Sequence, residues 1–328
     1  MNEHSHLVVI GTSLGGLNAL RTIFSSLPPD FSAPILVVMH LGSQESLLPT
    51  ILAPTSMLPV RHAENGMVLA AGTILIAPSN RHLLVDNNRV RLTHGPKENH
   101  ARPAIDPLFR SAAIAYGNRA IGIILTGTLD DGVVGLQAIK DYGGIAVVQD
   151  PANAEAACMP QSALDYVSVD HCLSLEDIAA MLVKLVNQSQ GLAMKAIDSE
   201  IIIMENRFAS GEEPVPAMAE LDRIGTRSTQ TCPECGGTLW EINASHPVRF
   251  RCHTGHCLTG NSLLQVHDRY SEDALWSAVR ALHEKHTLLK RLASEARNRG
   301  AKETAEEHEA TAEQAMEHAQ ALRKIISA

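Results

Sequence analysis

Two groups of residues in this 328-residue chain have types and spacings that could do chemistry. The first is Gly11-Thr12-Ser13-Leu14-Gly15-Gly16, between the apolar run Leu7-Val8-Val9-Ile10 and a helix-like stretch from Leu17 to Ile23. Its G-x-S-x-G spacing is that of a sharp strand-to-helix turn that lifts a serine hydroxyl above a sheet edge. The glycines permit the turn and let a ligand approach the backbone closely. The same residues miss the G-x-G-x-x-G spacing of a dinucleotide site and lack the lysine of a P-loop, so the competing reading is a glycine-rich turn that binds a phosphate or nothing. A serine hydroxyl becomes a nucleophile only when a base takes its proton, and a histidine base needs an anion to fix its tautomer. His40 closes the run Val37-Val38-Met39, and Asp130-Asp131-Gly132 follows the run ending Leu125-Thr126-Gly127. A single histidine after a strand is commonly structural. Three strand ends offering Ser, His and Asp are a different matter, because the carboxyl ends of the strands in an open parallel sheet share one edge.

The second group is Cys232-Pro233-Glu234-Cys235-Gly236-Gly237 followed by Arg251-Cys252-His253-Thr254-Gly255-His256-Cys257. A C-x-x-C knuckle presents two thiolates to one metal, and a second knuckle completes a tetrahedron. Cys232, Cys235, Cys252 and His256 are the chosen ligands of a structural Zn2+ site, with Cys257 or His253 as possible replacements. Four protein ligands leave no open position for catalysis. A redox C-x-x-C would need a βαβ setting that the flanking residues do not supply. Cys158 and Cys172 stand apart and read as small buried hydrophobes. The histidines at 283, 286, 308 and 318 have no metal-ligand spacing.

The elements that must position these residues are legible as hydrophobic pattern. Continuous β-branched runs at 7–10, 35–39, 73–77, 121–126 and 145–149 suit strands covered on both faces. Alternating with helical stretches, they predict an α/β fold: a doubly wound, mainly parallel, Rossmann-like sheet with a C-terminal zinc-knuckle and α-helical extension. Turn signals at Pro78-Ser79-Asn80 and Asp86-Asn87-Asn88 place a hairpin within 60–92. The division expected is a catalytic domain at 1–190, a linker at 191–228, a zinc-ribbon-like module at 229–262 and a helical tail at 263–328. In the tail, Leu275, Val279, Leu282, His286 and Leu289 step as the seam of a packed helix, with Ser271-Glu272-Asp273 as its start. Gly300 ends it, and a second helix runs to Ile326.

Composition excludes several classes. With 45% hydrophobic and 19% charged residues the chain is globular, not disordered. A net charge of −9 disfavours a nucleic-acid protein, and 3% aromatics leave little to stack on bases. No apolar run approaches the ~20 residues of a membrane span, and the first residues, Met1-Asn2-Glu3-His4-Ser5-His6, are not a secretory signal. The expected compartment is the cytoplasm, where clustered cysteines point to metal rather than disulfides.

Several motifs in order resemble one family, the catalytic domain of CheB-type protein-glutamate methylesterases: Ile10 to Gly16, Met39-His40, Ala77-Pro78-Ser79-Asn80-Arg81-His82, Arg102-Pro103-Ala104-Ile105-Asp106-Pro107-Leu108-Phe109, Leu125 to Gly132, and Gln149-Asp150 through Met159-Pro160. The resemblance covers roughly 5–185. It implies a Ser–His–Asp esterase with Ser13 as nucleophile, His40 as base and Asp131 as orienting anion, Asp130 matching a non-catalytic position and no cofactor taking part. It implies as substrate the glutamate γ-methyl esters on the cytoplasmic helices of methyl-accepting chemoreceptors, with glutamine deamidation as a second activity. Leu14, where the family has Thr, and Thr128, where it has Met, are departures. His82 and Arg102 are weaker candidates for shaping the cleft. The family's receiver domain has no counterpart here, so control by phosphorylation in cis is not expected. A partner methyltransferase and self-association through the C-terminal helices are further expectations. The rival reading is a non-catalytic receptor-binding scaffold on an esterase fold.

Overall fold

The computed structural model describes residues 6–40, 46–188, 199–211, 218–243 and 245–327. In chain order the first part contains β1 (Leu7–Thr12), α1 (Gly16–Ser25), β2 (Ile35–Met39), α2 (Leu48–Leu52), β3 (Val60–His62), β4 (Ile74–Ile76), β5 (His82–Asp86) and β6 (Arg89–Thr93). There follow α3 (Ile105–Tyr116), β7 (Ala120–Ile124), α4 (Val133–Asp141), β8 (Ile145–Gln149), α5 (Cys158–Tyr166), β9 (His171–Leu173) and α6 (Leu175–Val186).

Seven strands form one sheet in the order β3-β4-β2-β1-β7-β8-β9, every neighbouring pair parallel. Successive strand residues point to opposite faces, and both faces are covered. Leu7, Val9, Leu36 and Val38 pack with Leu108 and Phe109 of α3, Leu136 and Ile139 of α4 and Met159 of α5. Val8, Ile10, Ile35 and Val37 pack on the other side with Leu20 and Ile23 of α1, Leu52 of α2 and Leu182 of α6. Two-sided burial is why these strands read as unbroken apolar runs rather than alternating ones. From β1 the chain steps to β2 on one side, and β7 later takes the other. The switch point therefore lies at β1, and a crevice opens there beyond the strand ends. The hairpin expected within 60–92 is β5–β6, turning at Asn87 and Asn88, both with positive φ.

The second part contains α7 (Glu200–Ser210), α8 (Met218–Ile224), β10 (Gly225–Thr231), β11 (Thr238–Ile242), β12 (Arg249–Cys252), β13 (Cys257–Thr259), α9 (Gly260–Asn298) and α10 (Lys302–Ile326). Strands β10 to β13 form an antiparallel sheet in sequence order. Trp240 is buried in it with Met204, Phe208 and Leu221, and its indole N–H donates to Asp222 Oδ1. This ribbon belongs with the α/β sheet to one compact unit, Met1–Ser262. Leu263–Ala328 is a second unit. There the seam expected from Leu275 to Leu289 is buried or half-buried and continues through Ala293 and Ala296, with Ala305, Ala312, Ala315 and Ala319 of α10 also buried. Arg297 pairs with Glu309, and His286 Nδ1 bonds the Ala312 carbonyl. The long helix starts at Gly260 rather than Ser271, because Thr259 Oγ1 already caps it by accepting the Ser262 N–H.

A buried ion network locks ribbon to α/β sheet. Arg110 of α3 donates to both oxygens of Glu98 (2.7 and 2.9 Å), and Arg251 of β12 donates to Glu98 (3.2 Å) and to Glu205 of α7 (3.1 Å). Arg249 closes the network on Glu205 at 2.7 Å. Burial disfavours charge on Glu205, but the guanidinium groups of Arg249, Arg251 and Arg110 outweigh it and hold the carboxyl at about 2. The folded value lies below that of the unfolded chain, so this contribution is present above the ordinary carboxylate range and is lost as pH falls toward 2. Removing one partner of such a network strands the others in the interior. Glu205→Gln should therefore lower unfolding free energy by about 3–5 kcal/mol in chemical denaturation at neutral pH. The deficit should shrink as both proteins are titrated from pH 5 to 2, whereas a pH-independent deficit would contradict this account.

Candidate active site

Ser13 follows the last residue of β1. Its N–H and the Thr12 hydroxyl both donate to the Thr126 carbonyl beyond β7, at 3.0 and 2.9 Å. Thr126 Oγ1 in turn donates to the Leu14 carbonyl, and the Thr126 N–H is held by Gln149 Oε1. Three strand ends thus seat the serine turn. Gly15 ends it at φ +80° and begins α1 with no side-chain cap, so the first N–H groups of that helix are left to other acceptors. Gly11 lets α3 approach: a Cβ there would lie 2.4 Å from Ile105 Cγ2. Ser13 itself is half-buried, and Leu14 beside it is exposed.

His40 follows β2, its N–H bonded to the Thr12 carbonyl, so it emerges beside the serine turn. His40 Nε2 lies 2.7 Å from Asp131 Oδ2. The same oxygen accepts the Ile105 N–H at 2.7 Å, and Oδ1 accepts Asn99 Nδ2 at 3.0 Å and the Asp106 N–H at 3.3 Å. Asp131 is almost fully buried, which by itself would favour the neutral acid. The hydrogen bond and charge of His40, the Ile105 N–H at the N-terminus of α3 and the Asn99 amide overcome that and hold it below the usual carboxylate range. Nearby Asp106 is pushed the other way, first by burial and then by the Asp131 charge. Asp131 is thus the member of the pair that carries the negative charge. Because a carboxylate only accepts, the Nε2–H of His40 is the donor, so in the neutral imidazole the lone pair lies on Nδ1, where it can act as a base.

The neighbouring Asp130 does not meet His40. It accepts Thr259 Oγ1 (2.6 Å) and Asn261 Nδ2 (3.1 Å), and burial raises its pKa. Leu129 precedes it at φ +63°, an uncommon conformation for a non-glycine residue, in the turn that buries both aspartates. His82 is fully buried, accepting the Ala104 N–H at Nδ1 and donating to the Pro96 carbonyl, with burial lowering its pKa. It is a packed, neutral histidine. Arg102 spans Asn80 and the His94 and Gly95 carbonyls and acts as a loop brace. Thr128 is exposed on the loop before Asp130. Asn99 has no catalytic spacing in the sequence. Its only signal is that of a turn residue, because its partner Asp131 is 32 residues away.

One nitrogen and three sulfur donors converge in the ribbon. The ligand atoms of Cys232, Cys235, Cys252 and His256 all lie within 4.8 Å of one another. The Cys235–Cys252 sulfur separation of 3.8 Å is the edge of a tetrahedron with metal–sulfur bonds of about 2.3 Å. Glycines at positive φ, Gly236 and Gly255, close the two knuckles, and the His256 N–H donates to the Cys252 sulfur. The alternatives Cys257 and His253 stay outside the cluster. Cys257 is buried beside Arg251 and its thiol is pushed up to about 12, chiefly by burial, while the His253 ring occupies the space a Cβ on Gly237 would need.

Residues 8–182 match the family model described as CheB methylesterase. The chain belongs to the CheB methylesterase family. A Leptospira interrogans protein carrying the protein-glutamate methylesterase/protein-glutamine glutaminase name is 42% identical over 180 residues, 54% of this chain and 93% of that relative. A similarly named Anaeromyxobacter dehalogenans protein is 44% identical over 180 residues, but the alignment spans 53% of its length. The crystal structure of the Thermotoga maritima CheB methylesterase catalytic domain superposes with a TM-score of 0.53 at 37% identity, covering 56% of this chain and 99% of that one. The CheB methylesterase match ends before the ribbon begins. No helix among the described residues is long and apolar enough to cross a membrane.

Proposed function

We propose that this chain hydrolyses glutamate γ-methyl esters on the cytoplasmic helices of methyl-accepting chemoreceptors, with Ser13, His40 and Asp131 as its catalytic residues. The observation that carries the reading is the 2.7 Å bond between His40 and the buried Asp131 at the sheet edge where the Ser13 turn emerges, in a domain of the CheB methylesterase family. His40 Nδ1 takes the proton of Ser13 Oγ as that oxygen attacks the ester carbonyl, and Asp131 stabilises the imidazolium. The tetrahedral oxyanion is held by N–H groups at the uncapped start of α1. The carbon–methoxy bond breaks, the leaving oxygen takes the proton from His40, and methanol departs. Water then attacks the acyl-serine with His40 again as base, giving the glutamate carboxylate and restoring the serine. A glutamine side chain can follow the same course with ammonia leaving, as the glutaminase part of the relatives' names suggests. Leu14 and Thr128, both exposed, are read as substrate-facing departures from the family pattern.

Cys232, Cys235, Cys252 and His256 are read as ligands of a structural zinc ion that ties the two knuckles together and takes no part in the chemistry. The helical hairpin, with Trp276 and Leu288 exposed, is assigned to assembly, through self-association or a methyltransferase partner.

Methanol release from a methylated receptor cytoplasmic fragment tests the activity. The wild-type chain should release it, Ser13→Ala should not, and Asp131→Asn should lower kcat by about 10³–10⁴-fold. Equal rates in wild type and Ser13→Ala would reject the assignment. Elemental analysis of the purified protein should find one zinc per chain, lost in Cys232→Ser. Zinc retained in that variant would reject the ligand set.

A further inference from the structure

The ribbon reaches the Asp131 carboxylate through the side chain of Asn99. Glu98 and Ala101 exchange backbone hydrogen bonds (3.2 and 2.9 Å), and Asn99 and His100 between them both have positive φ, +49° and +63°. This is a two-residue turn of the type I′ kind, in which asparagine is among the few favoured residues. Strand β13 binds the turn along its backbone: the Asn99 N–H donates to the Cys257 carbonyl (2.8 Å), and the Cys257 N–H donates to the Lys97 carbonyl (3.2 Å). The Thr259 N–H then donates to Asn99 Oδ1 at 3.0 Å. The other end of the same amide donates to Asp131 Oδ1 (3.0 Å) and to Asp106 Oδ2 (3.2 Å).

The orientation of this amide follows from its partners. A backbone N–H can only donate, and an ionised carboxylate can only accept, so the oxygen must face β13 and the nitrogen must face Asp131. His40 and the Ile105 N–H occupy Asp131 Oδ2. Asn99 makes the shorter of the two contacts to Oδ1, so it resists rotation of the carboxylate about its own axis. It also bridges the Asp131 carboxylate and the neighbouring Asp106 carboxyl. The same strand end holds the adjacent Asp130 through Thr259 Oγ1, and Asn261 adds a second bond.

We propose that Asn99 is a positioning residue for the Asp131–His40 pair and that β13 sets its orientation, which makes the ribbon a built-in part of the esterase site. The proposal rests on the esterase reading above. Its test uses the full chain and methanol release from the methylated receptor fragment. In Asn99→Gly, which keeps the left-handed backbone free of strain, kcat should fall about tenfold or more while KM stays within about twofold. In the Asp131→Asn background the same substitution should change kcat by less than about twofold, because the group it acts through is already altered. Asn99→Asp is isosteric, removes the donor and sets a carboxylate against Asp131. It should lose at least as much kcat, and it serves as the second variant if Asn99→Gly lowers the melting temperature too far to assay. An unchanged kcat in a folded Asn99 variant, or the same fold loss in both backgrounds, would overturn the proposal. Absence of Ser13-dependent methanol release from the wild-type chain would instead overturn the esterase reading beneath it.

Discussion

The carboxylate of Asp131 is buried, and everything around the sheet edge is arranged to keep it charged. Burial alone would protonate it. Donors from separate stretches of chain prevent that: His40 after β2, the first N–H groups of α3, and Asn99 from the 98–101 turn. Each must arrive in register. The parallel pairing of β1 with β2 and β7 sets His40 and the Asp131 loop on either side of the serine turn. Gly11 lets α3 come close enough to aim its N-terminus at the carboxylate. A shift of β2 by one residue would exchange its two faces and remove the donor it supplies, and the same shift of β7 would displace the accepting carboxylate.

The ribbon adds a second constraint. Its sheet is small and its apolar cluster modest, so much of its attachment is ionic: Arg249 and Arg251 meet Glu205, and Arg251 shares Glu98 with Arg110 of α3. Buried pairs of this kind contribute less to net stability than to the uniqueness of the arrangement, because any displaced partner is left charged and dry. Glu98 is also the first residue of the turn that carries Asn99. The anchor of the ribbon and the support of the Asp131 carboxylate are therefore adjacent in the chain.

How much of this is legible in the sequence depends on the range of the interaction. The strands of the seven-stranded sheet that carry the site are visible because two-sided burial writes continuous apolar runs, as in Leu7 to Ile10 and Ile35 to Val38. The knuckles are visible because C-x-x-C is local geometry. Choosing Asp131 over Asp130 needs the family resemblance, since spacing alone treats the two alike, and the structure separates them by partner: His40 for one, Thr259 and Asn261 for the other. Asn99, Glu98 and Glu205 are not legible, because their partners lie far along the chain and a polar residue in a turn or helix has an ordinary solvated explanation. Helices α7 and α8 fall where composition reads as linker; the buried Met204 and Phe208 acquire their meaning from the ribbon they cover, and Ile202 from the α/β core it joins. The early start of α9 is hidden for a similar reason, its cap Thr259 being counted with a strand.

In the proposed mechanism Ser13 is a nucleophile activated by the His40–Asp131 pair. Mass spectrometry after treatment of the folded chain with a fluorophosphonate tests it most directly, without any assumption about the receptor substrate. A single covalent adduct should form on Ser13 and be lost or strongly slowed in His40→Gln. No adduct on Ser13 in folded protein, or labelling at the same rate in His40→Gln, would contradict it.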